Sequence, residues 1–151
     1  MMFNIMKKLV LTLSFVLCAV LSFAQVGKML GDWDTIDDKS GDKRSRVHLY
    51  KATDGKYYGK VLALYKKNAD GTYSDWIDVP EEHKNVIGMV ILKELELDGD
   101  VLKGRCYDPE SKKTYYGKVS YDAGKDQITL RGSLDKLGLL GRSQTWVRSS
   151  K

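Results

Sequence analysis

Few residues in this sequence are of the types that catalyse reactions or bind metals. The two histidines are His48, which lies between Val47 and Leu49 in a strand-like segment, and His83, which lies in a charged stretch. A nucleophilic serine or cysteine needs an adjacent base, and a zinc ion needs several protein ligands at short spacings. Neither histidine has such neighbours, and the chain lacks a Gly-x-Ser-x-Gly elbow and a glycine-rich phosphate loop. We therefore expect no catalytic residue, no metal ion and no cofactor.

Asp34, Asp37 and Asp38 form an acidic cluster near the start of the folded part. One interpretation is a calcium site or a pair of carboxylates that act together. The other is a solvated turn, which we favour because aspartate accepts hydrogen bonds from the backbone of turns. A hydrolase or isomerase centred on Asp34, Asp37 or Arg142 is the least favoured interpretation, since it requires carboxylates with strongly perturbed pKa values in a cleft.

The aromatic residues are the most suggestive group. The sequence has nine tyrosines and three tryptophans, and all three phenylalanines lie in the first 24 residues. Tyrosine and tryptophan combine an apolar ring with a polar tip, which suits an amphipathic ligand. Tyr57 and Tyr115 begin two copies of the pattern Tyr-Tyr-Gly-Lys-Val, and Trp76 lies in a long segment from Lys66 to Ile87. These three are the candidate ligand-binding residues; ordinary packing of strand aromatics is the alternative.

The N-terminal stretch has the features of a secretory signal peptide. Lys7 and Lys8 precede an uncharged run, Leu9–Ala24, which ends in Ser22-Phe23-Ala24. We expect cleavage after Ala24, which makes residues 1–24 the signal peptide and residues 25–151 one domain. An uncleaved anchor helix is the alternative, although the run is shorter than the roughly 20 apolar residues that a span needs. The expected location is periplasmic or secreted, with no membrane span after cleavage.

The charge and cysteine content of the remaining domain favour neither nucleic-acid binding nor an internal disulfide. Removing Lys7 and Lys8 lowers the formal charge from +5 to +3, and the other basic residues alternate with acids along the sequence. This pattern does not predict nucleic-acid binding. Removing Cys18 leaves Cys106 alone, so we expect no internal disulfide and predict that Cys106 is a small buried apolar side chain.

Short alternating segments separated by turns dominate residues 25–151. Eight strand-like segments are Met29–Ile36, Arg44–Ala52, Lys56–Tyr65, Gly88–Leu97, Val101–Asp108, Lys113–Tyr121, Gln127–Gly132 and Gly141–Arg148. Pairs such as Asp54-Gly55 between such segments are typical of hairpins. The pattern predicts an all-β protein, a small antiparallel up-and-down β-barrel or a sandwich. Gly59, Gly104 and Gly117 should face inward, either leaving room for a ligand or forming bends where the sheet closes, which we favour.

Residues at both ends of this domain resemble those of lipocalins. In that family a first-strand tryptophan packs against a basic residue of the last strand and closes the barrel. Gly31-Asp32-Trp33 and Trp146-Val147-Arg148 fit this arrangement, with Arg142 as an alternative to Arg148. The resemblance implies that Trp33, Arg142, Trp146 and Arg148 are structural closure residues.

A resemblance over nearly the whole domain is to the exported bacterial family called domain of unknown function 2147. The matching segments are Gly31–Thr35, Asp37–Gly41, Tyr58–Val61, Asp108–Glu110, Arg131-Gly132 and Gly141–Trp146. The resemblance implies an exported, lipocalin-like β-barrel of about eight strands, and it supplies no catalytic residues.

The expected function is a binding module that holds an apolar or amphipathic small molecule inside the barrel. The alternative is a non-enzymatic interaction protein whose barrel is filled and whose surface docks on another envelope protein. The leucines of Ser133–Leu140 would then form the docking surface.

Overall fold

The computed structural model describes residues 2–151; Met1, the first residue of the predicted signal peptide, lies outside this range. Within it the helices are α1 (Met2–Met29) and α2 (Glu81–Lys84). The strands are β1 (Gly31–Ile36), β2 (Lys43–Lys51), β3 (Tyr57–Lys67), β4 (Tyr73–Asp75), β5 (Val90–Asp98), β6 (Val101–Asp108), β7 (Lys113–Asp122), β8 (Gln127–Ser133) and β9 (Gly141–Arg148).

Eight of these strands close into an antiparallel barrel. Their order around the sheet is β2-β1-β9-β8-β7-β6-β5-β3, and a further pairing of β2 with β3 joins the two edges. The short strand β4 pairs only with the far end of β3 and lies outside the ring. The predicted barrel is therefore confirmed, and the sandwich is excluded. The long segment between β3 and β5 contains β4 and α2.

The inward face follows the strand alternation that the sequence predicts. Trp33, Val47 and Val61 stand directly opposite one another on β1, β2 and β3, and all three are buried. Inward side chains from the other strands complete the core; they are Leu92, Leu95, Leu102, Cys106, Val119, Ile128 and Trp146. Alternating strands present one such set to the interior and a polar set to the solvent.

The inward glycines are sites of close packing. At Gly104 an added Cβ would lie 2.7 Å from the carbonyl oxygen of Lys93 on the neighbouring strand, where Glu94 forms a bulge with φ 52°. At Gly59 it would lie 2.9 Å from the side chain of Leu92. The space in front of these glycines is filled by β5, which agrees with bends in the sheet and leaves no room there for a ligand.

Helix α1 changes character near its C-terminal end. Every described side chain from Met2 to Ala24 is exposed, whereas Val26 and Met29 are buried against the barrel. The helix is long and apolar enough to cross a membrane, a test that a signal sequence near an N-terminus also passes. Gln25, the residue after Ala24, donates a side-chain hydrogen bond to the carbonyl oxygen of Tyr121. The side chains of α1 that pack on the barrel therefore begin at Gln25.

Two truncations test this division of α1. Removing residues 2–24 is expected to change the free energy of unfolding by less than about 0.5 kcal/mol, because no described side chain there is buried. Removing residues 2–29 is expected to lower it by about 3 kcal/mol or more, because Val26 and Met29 leave the core. Urea unfolding of both forms measures the difference, and equal stabilities would show that the segment after Ala24 adds nothing to the fold.

Candidate functional site

One end of the barrel, called here the closed end, is sealed by Arg148. Its guanidinium carbon lies 4.0 Å from the centre of the Trp33 ring. The same group donates hydrogen bonds to the carbonyl oxygens of Leu30 (3.0 Å) and Lys28 (2.6 Å) and pairs with Asp126 at 2.9 Å. A guanidinium over an indole face is attractive, and here it also satisfies backbone acceptors at the end of α1.

Arg142 lies at the opposite end, called here the open end. It pairs with Asp38, with a shortest distance of 2.6 Å, and 65% of its side chain is exposed. Of the two arginines that the sequence offered for barrel closure, the structure thus places Arg148 on Trp33 and Arg142 at the far rim. Trp146 is buried in the interior, where its Nε1 donates to the Oε1 of Gln144 at 2.6 Å.

The open half of the interior is lined by four half-buried inward side chains. Leu130 stands opposite Val119 and Gln144, and Tyr115 stands opposite Cys106. We call the surface formed by Leu64, Tyr115, Leu130 and Gln144 the cup; its leucines and tyrosine pack on the core beneath. The Tyr115 hydroxyl lies 3.3 Å from the hydroxyl of Ser111. Apolar walls with a few polar groups are the usual composition of small-molecule sites.

The segment between β3 and β5 packs against the barrel next to Leu64 of the cup. The backbone N–H of Trp76 donates to the carbonyl oxygen of Leu64 at 2.8 Å, so the backbone of Trp76 lies directly beside Leu64 of the cup. Its ring lies 6.2 Å from that of His83, while Val79 is buried and Val86 packs against the core. These contacts hold the long segment against the barrel.

The structure does not bring the three candidate ligand-binding residues together. Tyr115 lies in the cup and Trp76 at its edge, but Tyr57 lies near the closed end, buried opposite Leu95 and below the ammonium group of Lys51 at 5.7 Å. The two copies of Tyr-Tyr-Gly-Lys-Val occupy β3 and β7, which run in opposite directions around an antiparallel ring. Their tyrosines therefore stand at opposite ends.

The acidic cluster is divided among separate partners. Asp34 is buried, accepting from the hydroxyl of Tyr65 (2.6 Å) and from Lys43 (2.8 Å), and Asp38 pairs with Arg142. Asp37 accepts from two backbone N–H groups of the following turn, which lower its carboxyl pKa. Sequence reasoning missed the contact of Asp34 with Tyr65, which joins residues 31 positions apart. No cluster of three or more possible metal ligands occurs among residues 2–151.

His48 lies on the outer wall of the barrel. Its Nδ1 is hydrogen-bonded to the carboxylate of Asp32, and its ring stacks on that of Tyr50 with centres 5.6 Å apart. About half of the histidine is exposed, as the strand alternation predicts.

Two open surface cavities include residues of the predicted signal peptide. One lies on α1 alone, and the other lies between Phe23 and the turn that joins β2 to β3. Neither of these cavities lies inside the barrel; the cup is a candidate site because of the partly buried apolar and polar side chains that line it.

Comparisons with known proteins agree with this geometry. Residues 31–148 match the family described as "Uncharacterized protein conserved in bacteria (DUF2147)". The chain belongs to the DUF2147 family. The match spans β1 to β9, and therefore all eight strands of the barrel.

A solved structure shows the same fold as this DUF2147 protein. Protein HP1028 from Helicobacter pylori, described as belonging to the lipocalin family, superposes with a TM-score of 0.57. The two chains are 22% identical, and the similarity covers 81% of this chain and 83% of that one. The DUF2147 barrel is thus lipocalin-like in fold. Among curated proteins, none matches the chain.

Substituting the two arginines separately tests which one closes the barrel. Arg148→Ala is expected to lower the free energy of unfolding by about 2–3 kcal/mol, because it removes the contact with Trp33 and leaves two carbonyl oxygens without a donor. Arg142→Ala serves as the control and should cost less than about 1 kcal/mol, because its ion pair is solvent-exposed. Urea unfolding measures both; a larger loss for Arg142→Ala would reverse the assignment.

The reactivity of Cys106 tests its burial. Burial raises the pKa of this thiol to about 11, with a smaller contribution from Asp108. At pH 8 only about one thiol in a thousand is then the reactive thiolate. In a Cys18→Ser chain we expect iodoacetamide to label Cys106 only when urea unfolds the protein. Rapid labelling of the folded chain, followed by mass spectrometry, would contradict a structural role.

Proposed function

We propose that this DUF2147 protein is an exported binding protein that holds one small apolar or amphipathic molecule in the cup. The observation that carries the proposal is the change in burial along the inside of the barrel. Inward side chains at the closed end, such as Trp33 and Leu49, are fully buried, whereas those of the cup are only partly buried. Solvent therefore reaches apolar side chains inside the barrel near its open end. A ligand that displaces this water gains binding free energy by burying apolar surface.

The chemistry of the cup suits a ligand with both an apolar and a polar part. Leu64 and Leu130 offer apolar contact, and the Tyr115 hydroxyl can donate or accept a hydrogen bond. Gln144 adds an amide group, although its Oε1 already accepts from Trp146. Side chains fill the half of the barrel near the closed end, so a ligand can occupy only the half near the open end. A short chain or a single ring therefore fits better than a long lipid tail.

Export is part of the proposal because of the N-terminal helix. The described side chains up to Ala24 make no buried contact with the barrel, so cleavage there leaves the core complete. The remaining Val26 and Met29 still cover the closed end. A chain cleaved in this way is a barrel sealed at one end and open at the other.

Contact quenching tests occupancy of the cup. Trp146 lies beneath the cup, so a brominated medium-chain fatty acid bound there is expected to quench its fluorescence in a Trp76→Phe chain. Tyr115→Ala should weaken binding about tenfold through loss of ring contact. The control is Tyr116→Ala, the next residue, whose ring lies on the outer wall beneath Arg105; it should bind as the parent chain does.

Native mass spectrometry of the protein purified from its own envelope complements this test. A reproducible small molecule that is released on denaturation identifies the natural ligand. Two results together would refute the proposal: no bound molecule in the native protein, and quenching that is absent or unchanged by Tyr115→Ala.

A further inference from the structure

The loop between β8 and β9 presents four leucines to the solvent. Leu134, Leu137, Leu139 and Leu140 are between 66% and 84% exposed, and we call residues 134–140 the leucine loop. Isolated exposed leucines are common, but four within seven residues at one end of a barrel form an apolar surface of the kind that marks interaction sites.

The leucine loop is held in shape by its own polar groups. The Asp135 carboxylate accepts from the backbone N–H groups of Leu139 (3.0 Å) and Leu140 (2.7 Å), which lower its pKa. Leu134 donates its N–H to the carbonyl oxygen of Leu140, and Arg131 donates to the carbonyl oxygen of Gly138 at 2.7 Å. The backbone is thus largely satisfied from within while the leucine side chains point away. Satisfied backbone groups are what entry into a lipid environment requires.

Basic side chains cover the outer wall beside this loop. Lys103, Lys118 and Arg131 stand directly opposite one another on β6, β7 and β8, and Lys93 stands opposite Arg105. We call these five residues the cationic wall. Like charges directly opposite on neighbouring strands are unfavourable, so the arrangement lowers stability.

Most of the cationic wall has no acidic partner. Among residues 2–151, only Lys103 of these five forms an ion pair, with Asp98 at 2.7 Å. Arg105 stacks on Tyr116 and Lys93 lies over Tyr107, while Glu96 beside the wall pairs with Lys56. Glu94, at the bulge, adds one negative charge next to Lys93. Lys93, Arg105 and Lys118 therefore remain available to an external anion, whereas the guanidinium of Arg131 already donates to Gly138, Leu139 and Ser143.

The loop and the wall are close to each other. Ser133, from which the leucine loop starts, is opposite Tyr116, which is in turn opposite Arg105. Two strand spacings, about 10 Å, separate Arg105 from the base of the loop. The leucine loop thus places apolar side chains at the end of the barrel, and the cationic wall places cations without acidic partners about one headgroup layer away. This arrangement matches the charge and polarity profile of an anionic lipid surface.

We propose that the leucine loop and the cationic wall dock this protein on the surface of an anionic lipid bilayer. The leucines lie at the boundary between headgroups and acyl chains, and Arg105 and Lys118 face the phosphate groups, while Arg131 holds the leucine loop. A protein partner is less well matched, because protein interface cores favour tyrosine, tryptophan and arginine over leucine, and a projecting loop needs a fitted pocket. The docking is independent of any ligand in the cup.

Vesicle flotation tests the proposal with the protein in the form that cells accumulate, its N-terminus determined by intact mass. Vesicles of equal parts phosphatidylglycerol and phosphatidylethanolamine are compared with phosphatidylcholine vesicles. The double variant Leu137→Ser/Leu139→Ser is expected to lower the partition coefficient on anionic vesicles about tenfold. Arg105→Gln and Lys118→Gln should each lower it about fivefold, and added salt should remove this difference.

Two exposed residues elsewhere provide matched controls. Ile77 is 95% exposed and lies outside the leucine loop, and Lys60 is an exposed lysine on β3 without an ion pair among the described residues. Ile77→Ser and Lys60→Gln should leave partitioning unchanged. Hydrogen–deuterium exchange of the chain cleaved after Ala24 gives a local readout without vesicle binding by α1: vesicles should slow exchange in residues 134–140, and the double leucine variant should lose that protection.

Three results would overturn the proposal. The first is partitioning and loop protection that do not change in the double leucine variant. The second is equal binding to anionic and phosphatidylcholine vesicles, which would remove the role of the cationic wall. The third is vesicle binding that is unaffected by the leucine substitutions while a co-purifying protein is lost, which would assign the loop to a protein partner.

Discussion

The small bore of an eight-stranded ring is the constraint on which the rest of this structure depends. A ring of this size is either filled by its own inward side chains or holds one small ligand beside them. Two of the largest side chains, Trp33 and Trp146, both point inward and are fully buried. The volume that they occupy fills the closed half, so any space for another molecule must lie beyond Trp146. The position of the cup thus follows from where the tryptophans stand along β1 and β9.

The same constraint explains the row of glycines on the inner wall. Gly104, Gly117 and Gly132 stand directly opposite one another on β6, β7 and β8. An added Cβ at Gly117 would lie 3.2 Å from the Cβ of Cys106, and one at Gly132 would lie 3.3 Å from the Cys106 sulfur. The glycines therefore make room for Cys106 and for the bulge at Glu94, and the thiol fills the gap as a small apolar group.

Strand alternation made much of the barrel predictable. Val61, Leu102 and Val119 lie inside next to the outward Lys60, Lys103 and Lys118, because which face a residue occupies is a local property of an extended chain. The end of the barrel at which a residue lies is not local. It depends on the order of strands around the ring, so Tyr57 and Tyr115, in identical local sequences, stand at opposite ends.

The cationic wall could not be predicted from the sequence, because it also depends on the order of strands around the ring. The basic residues of the cationic wall stand mostly between apolar residues and glycines along the chain, and no run of Lys or Arg marks them. They meet only because β5, β6, β7 and β8 are adjacent and each turns its basic positions outward. The four leucines, by contrast, lie within one short loop and could be singled out from the sequence alone.

The two ends of the barrel carry different features, which fixes how the molecule can be oriented at a membrane. Helix α1 leaves from the closed end, whereas the cup, Arg142 and the leucine loop lie at the open end. A chain held in a membrane by α1 would present its closed end to that membrane and turn the cup and the leucine loop away from it. The proposed cleavage after Ala24 would remove this restriction and leave Met29 and Arg148 to seal the closed end. The proposed docking of the open end would then be open to the same membrane once α1 is cut, whereas with α1 still in that membrane it would need a second, facing surface.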